Sequence, residues 1–285
     1  MNSSRGKFSN DYLYWIALIL LSALAYYETF IWLFNRFTAQ DSYYSHGFLI
    51  PLISIYIIWK KSGSVENQQC VYNWWDPAVL VAGLVLHAIG TAVHIFFISG
   101  ISLFIYIFGL SIYLFGIKAT QTFLFPICFL IFMIPLPLSI VSAILLPMKE
   151  IVLTISAEII RWMRIPITVD GFNIYLENCT IIIGNPCSGL RSLISFTAMG
   201  ALIGYFSSLN SLYISLMIVL SVPVAIITNI LRTIFLILTA EYFSIDIIYP
   251  GHWFHTFIGI VVFLAGMGTM ITFSKVIQCQ RFHFD

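Results

Sequence analysis

Three short motifs hold the side chains best suited to chemistry. The first is Gly184-Asn185-Pro186-Cys187-Ser188-Gly189-Leu190-Arg191-Ser192. Asn-Pro signals a turn and an apolar run follows at once, which predicts Cys187 at or just before a helix N-terminus. The free N–H groups and positive dipole end there favour a thiolate, the form in which a thiol attacks a carbonyl. Ser188 is the neighbouring alternative nucleophile. The second motif, Asn229-Ile230-Leu231-Arg232, lies inside a long apolar run. A guanidinium in such a run costs roughly 2.5–3.5 kcal/mol on insertion scales, so Arg232 is expected to be paired or to face a polar cavity. The third is Gly251-His252-Trp253-Phe254-His255, opening the last apolar run. His255, Gly259 and Phe263 are spaced four apart and share one helical face. Glycine at 259 lets a neighbouring helix come close.

A thiolate, an imidazole and a guanidinium brought together would perform acyl transfer. The thiolate attacks a peptide carbonyl, the imidazole moves protons, and the guanidinium stabilises oxyanion charge. Each residue also has an ordinary reading. A cysteine is often a small packing residue, an arginine snorkels or pairs with an acid such as Glu28, and a histidine anchors a helix at the interface. His252 and His255 are close enough in sequence to share a metal. No His-Glu-x-x-His motif occurs, and neither a metal nor another cofactor is expected.

The elements that must position these groups are set by composition. Of 285 residues, 60% are apolar and 9% charged, with thirteen Lys plus Arg and twelve Asp plus Glu. A soluble domain of this length would carry roughly 70 charges. The chain is therefore expected to be solvated by lipid, which excludes a soluble enzyme, a disordered chain and a nucleic-acid-binding protein. Eight apolar stretches approach the roughly 20 residues of a spanning helix: 12–34, 43–59, 78–98, 101–117, 122–138, 188–206, 212–239 and 253–273. The expected fold is an all-α polytopic membrane protein forming one domain over 1–285. The first span is read as retained, although Ala23-Leu24-Ala25 resembles a cleavage site.

Short-loop Lys and Arg residues place both termini in the cytoplasm and all three motifs on the outer side. The stretch 139–163 carries Lys149, Glu150, Glu158 and Arg161 and reads as an amphipathic helix at the outer interface. If it crossed, everything from Cys187 to Arg232 would change sides. The β-branched stretch 165–183, with Asp170-Gly171 as a turn, predicts a small extracytoplasmic β-hairpin before the nucleophile helix. Cys179, eight residues before Cys187 and also expected outside, is a candidate for an inhibitory disulfide with it.

The motifs resemble those of the exosortase/archaeosortase family of integral-membrane cysteine transpeptidases. Asp41-Ser42-Tyr43-Tyr44-Ser45-His46-Gly47-Phe48-Leu49-Ile50-Pro51 is similar to the family's early Tyr-Ser-His-Gly segment, and Phe132-Met133-Ile134-Pro135-Leu136-Pro137 to its mid-chain proline motif. Cys187-Ser188-Gly189-Leu190-Arg191-Ser192 resembles the nucleophile motif, Asn229 to Arg232 the arginine motif, and His255 with Gly259 and Phe263 the histidine motif. The resemblance implies Cys187 as nucleophile, Arg232 as transition-state stabiliser and His255 as acid–base, with Arg191 the other possible oxyanion partner. His46, Ser45 and Asp41 are implied in supporting or substrate-binding roles, with Ser188, Asn229, His252 and Glu28 as further candidates.

It also implies secreted substrates that end in a short motif, often Pro-Glu-Pro, then a transmembrane segment and a basic tail. The enzyme would sit in the bacterial inner membrane and transfer these proteins to an acceptor. Membrane lipid is the other expected partner. A transporter using the intramembrane charges, or a membrane acyltransferase using His255 as base, remain as alternatives.

Overall fold

A computed structural model describes residues 12–39, 42–63, 65, 75–177, 179–182, 189–208, 211–243, 245–248 and 252–281. The described chain is dominated by ten α-helices, and it divides into two compact units. One comprises residues 1–39 and 47–135, the other 40–46 and 136–285.

The first unit begins with α1 (Tyr12–Ala25) and α2 (Tyr27–Thr38), which meet at a 69° bend. Polar side chains gather at the break. His87 Nε2 lies 2.9 Å from the Ala25 carbonyl and its Nδ1 lies 2.7 Å from Ser99 Oγ, which also contacts Thr29 Oγ1. The fully buried Tyr26 packs on the His87 ring with centroids 4.0 Å apart. A side chain inserted at a helix carbonyl is a recognised cause of such a bend. The unit continues with α3 (Leu49–Ser62), α4 (Asp76–Ala92), α5 (Phe96–Thr122) and α6 (Leu124–Phe129). Helices α4 and α5 approach through glycine. A Cβ on Gly109 would lie 2.5 Å from the Leu80 backbone nitrogen, and one on Gly83 would lie 2.8 Å from that of Tyr106. Lipid tails are as apolar as leucine, so close packing over small residues, rather than escape from water, drives such pairing.

The second unit holds α7 (Leu138–Trp162), a three-stranded antiparallel sheet, α8 (Leu190–Ser208), α9 (Ser211–Tyr242) and α10 (Trp253–Arg281). The sheet runs β1 (Thr168–Asp170), β2 (Asn173–Tyr175) and β3 (Thr180–Ile182), with Asp170 opposite Asn173 across the first turn. Gly171 takes φ +57° in that turn, a conformation open to glycine at no steric cost. The expected hairpin is present with a third strand added. Its aromatic turn residue Phe172 lies under the Lys149 ammonium of α7, 5.1 Å from ring centroid to Nζ, so one of the charges that suggested an interfacial helix is covered by the sheet. Leu153, Ile160, Ile174, Ile237 and Ile258 join α7, the sheet, α9 and α10 in one core cluster.

Among the described residues, five helices are long and apolar enough to cross a membrane: α5, α7, α8, α9 and α10. The bent α1–α2 pair makes six if it counts as one span. Large apolar side chains such as Leu24, Trp59, Val219 and Phe235 are exposed, as a lipid-facing surface requires. This is a multi-pass helical membrane protein. Three of the eight expected stretches form shorter helices. Stretch 43–59 holds a 3-10 turn, Ser45–Phe48, before the 14-residue α3. At 1.5 Å per residue α3 rises about 21 Å, against roughly 30 Å of hydrocarbon. Stretch 78–98 yields the 17-residue α4, and 122–138 yields the six-residue α6, a 3-10 turn, and then two prolines that break the run. Helix α7 differs the other way. Its 25 residues place it by length and apolarity with the spans rather than with interfacial helices.

Helices α8 and α9 approach as closely as α4 and α5. A Cβ on Gly200 would lie 2.6 Å from the Met217 carbonyl oxygen. Gly200→Ala is therefore expected to cost about 1–3 kcal/mol. Gly268→Ala on α10, with nothing within 4 Å, should be neutral or gain up to about 1 kcal/mol of helix propensity. Thermal unfolding of the two purified variants checks this, and identical shifts would contradict the close approach.

Candidate active site

Asn229 and Arg232 lie three apart on α9 and so share a face. Opposite them, α10 presents His255, in its first turn, and Gly259 one turn later. The Arg232 guanidinium fits over Gly259, where a Cβ would sit 3.4 Å from Nη2 and 3.5 Å from Cζ. Its Nη2 reaches His255 Nε2 at 3.5 Å. Arginine has only donors, so the imidazole nitrogen facing it carries a lone pair. His255 is 5% exposed and Asn229 2%. The charge in the apolar helix thus faces a second polar group across a glycine notch.

The glycine that closes the first motif is tied to the same face of α9. Gly189 takes φ +77°, and a Cβ there would lie 2.5 Å from Asn229 Nδ2 and 2.8 Å from Met148 Cε. Both the conformation and the contact require glycine. Cys187 and Ser188 themselves lie outside the described residues, as does Asp41. Cys187 is two residues from Gly189 in sequence.

A second polar cluster stands at the start of α8. The His46 ring, on the 3-10 turn ahead of α3, puts Nδ1 3.3 Å from Ser195 Oγ and stacks near Tyr44 with centroids 6.1 Å apart. Tyr44 is itself held twice. Its N–H donates to Ser42 Oγ at 2.9 Å, and its hydroxyl accepts the Leu136 N–H at 3.0 Å. Burial, and then the Arg191 guanidinium, push the His46 imidazole down to about 4. His46 is therefore neutral at physiological pH.

The other expected residues have plainer surroundings. Arg191 and Ser45 are exposed. His252 precedes α10, and its Nδ1 accepts the Phe254 N–H at 3.3 Å, which makes it an N-terminal cap. Glu28 is exposed in the first turn of α2, in the other unit. Cys179 is a free thiol packed against the sheet core. Burial, and then the Glu241 carboxylate, push that thiol up, which leaves it protonated and a poor nucleophile at neutral pH. Ser195 and the Gly189–Asn229 contact were not singled out from sequence, and Tyr44 entered only as part of the Tyr-Ser-His-Gly segment. Ser195 follows Arg191 by one helical turn, and that spacing was the available signal.

These positions meet a known pattern. The family model described as transmembrane exosortase (Exosortase_EpsH) matches residues 34–272. The chain belongs to that family. No curated protein and no solved structure matches it. The exosortase match spans His46, Cys187, Arg232 and His255, and it begins after Glu28. Within it, the arginine and histidine motifs, 23 residues apart, meet in the structure.

The Arg232–Gly259 notch has a direct test. Gly259→Leu would drive a side chain into the guanidinium, displace it from His255 and is expected to lower exosortase activity about a hundredfold, as a misplacement of about 1 Å at a reacting site can. Gly268→Leu, in open space on the same helix, should retain activity. Processing of a sorting-signal precursor in cells measures both, and full activity of Gly259→Leu would refute the notch.

Proposed function

We propose that this exosortase is a membrane cysteine transpeptidase acting through Cys187, Arg232 and His255. The carrying observation is the Arg232–His255 contact under Gly259, on the α9 face against which Gly189 is packed. In this reading the Cys187 thiolate attacks a backbone carbonyl of the substrate. The C–S bond forms as the carbonyl π electrons move to oxygen, and Arg232 stabilises that oxyanion. His255 takes the Cys187 thiol proton as the thiolate forms, and when the intermediate collapses and the C–N bond breaks it gives that proton to the departing amine. The acyl group, now a thioester on Cys187, is taken by an acceptor nucleophile whose proton passes to His255.

Arg232 is favoured over Arg191 as oxyanion partner because it faces His255, whereas Arg191 is exposed beside His46. Asn229 is assigned to holding the glycine that follows the nucleophile, and His252 to capping the helix that bears His255. Ser188, Ser45, Asp41 and Glu28 stay as secondary candidates. The substrates of this reading are secreted proteins ending in a short motif, a transmembrane segment and a basic tail. The site would face the outer side of the bacterial inner membrane, which holds with α7 crossing if the stretch 122–138, whose α6 is only six residues long, does not cross.

Cys187→Ala is the decisive variant. With membrane insertion retained, it should leave a tagged sorting-signal precursor uncleaved, a loss of at least about a thousandfold. A membrane-impermeant thiol reagent should label residue 187 from outside. Normal processing in the variant would overturn the transpeptidase reading, and labelling only from the cytoplasmic side would overturn the proposed orientation.

A further inference from the structure

His46 is fixed, neutral and half-paired, and the unpaired ring nitrogen is the property that a purely structural histidine has no need of. Its Nδ1 is engaged by Ser195 Oγ at 3.3 Å, while Nε2 is buried and has no hydrogen-bond partner among the described residues. The ring is also fixed in place. It stacks near Tyr44, which is pinned at both ends by Ser42 and by the Leu136 N–H between two prolines. Finally, burial and Arg191 keep the imidazole neutral. A buried nitrogen left unpaired costs free energy that an apolar side chain of similar size would avoid. Such groups in folded proteins call for an explanation, and a ligand that completes the pairing is one. Location favours this: Arg191 and Ser195 share one face of the first two turns of α8, a helix that begins three residues after Cys187.

We propose that His46 is a substrate-binding residue whose Nε2 pairs with a peptide group of the polypeptide substrate, held in position by Ser195 and Tyr44. This rests on the transpeptidase reading and deepens it. A peptide group suits either tautomer. If the Ser195 hydroxyl donates to Nδ1, then Nε2–H donates to a peptide carbonyl; if Nδ1–H donates to Ser195, then Nε2 accepts a peptide N–H. A neutral imidazole beside a cation fits a neutral partner.

The test uses the full chain in lipid vesicles with a sorting-signal precursor. His46→Ala should raise KM roughly tenfold with little change in kcat. His46→Gln, whose side-chain amide can make the same bond, should recover most of that loss. Because the ring is neutral, the KM penalty should be the same from about pH 5.5 to about pH 8. His46→Phe should unfold no earlier than the unaltered protein while losing the same affinity. An unchanged KM in His46→Ala would overturn the proposal. So would a collapse of kcat with loss of a pH limb, which would place His46 in proton transfer. A His46→Phe variant that loses stability and activity together would make the residue structural. Binding of uncleaved precursor to Cys187→Ala, with and without His46→Ala, separates the two ideas. Cleavage by Cys187→Ala refutes the transpeptidase reading, whereas equal binding by both refutes His46 alone.

Discussion

A guanidinium in a 32-residue apolar helix is the constraint around which the second unit is built. Arg232 lies ten positions before the end of α9, a rise of about 15 Å that is long for a side chain to snorkel across. It needs a neighbour that offers both room and a lone pair. Gly259 supplies the room and His255 Nε2 the lone pair, one turn apart on α10. The same face of α9 carries Asn229, and Asn229 leaves space only for a glycine at 189. One expensive charge thus explains why three distant motifs contain the residues they do.

Glycine recurs at the close approaches, for the reason that membrane helices differ from soluble ones. Apolar side chains gain little by leaving lipid for the protein interior, so helices are joined by contact area and by polar pairs. The backbone approaches at Gly83, Gly109 and Gly200 provide the first. The hydroxyl and imidazole network around Tyr26 and the His46–Ser195–Tyr44 cluster provide the second.

Much of the site was legible in sequence because its residues are anomalous where they stand. Arg232 is a charge in an apolar run, and the four-residue spacing of His255 and Gly259 needs only helix geometry. The family followed from five motifs in order. The span count was less legible. Hydropathy registers apolar composition but not the 3-10 turn at Ser45–Phe48 or the prolines that shorten 122–138, so stretches of near-spanning length hold shorter helices. Helix α7 misled in the opposite sense. Its Lys149 suggested an interface, but the residue is 8% exposed and lies over Phe172, a contact that depends on a sheet formed twenty residues later. Ser195 was missed because a serine in an apolar helix is ordinary until His46 is placed beside it.

The position of the Arg232–His255 pair at the C-terminal end of the chain also bears on biosynthesis. A membrane protein made from its N-terminus delivers α9 to the bilayer before α10. Arg232 therefore enters on the strength of α9 alone, whose apolar window has a mean hydropathy of 2.4. Its partner arrives only with the last helix. Until then the arginine lacks His255 and the glycine notch. The contact that joins the arginine and histidine motifs is thus among the last that synthesis can complete, since both of its partners must first be in the bilayer.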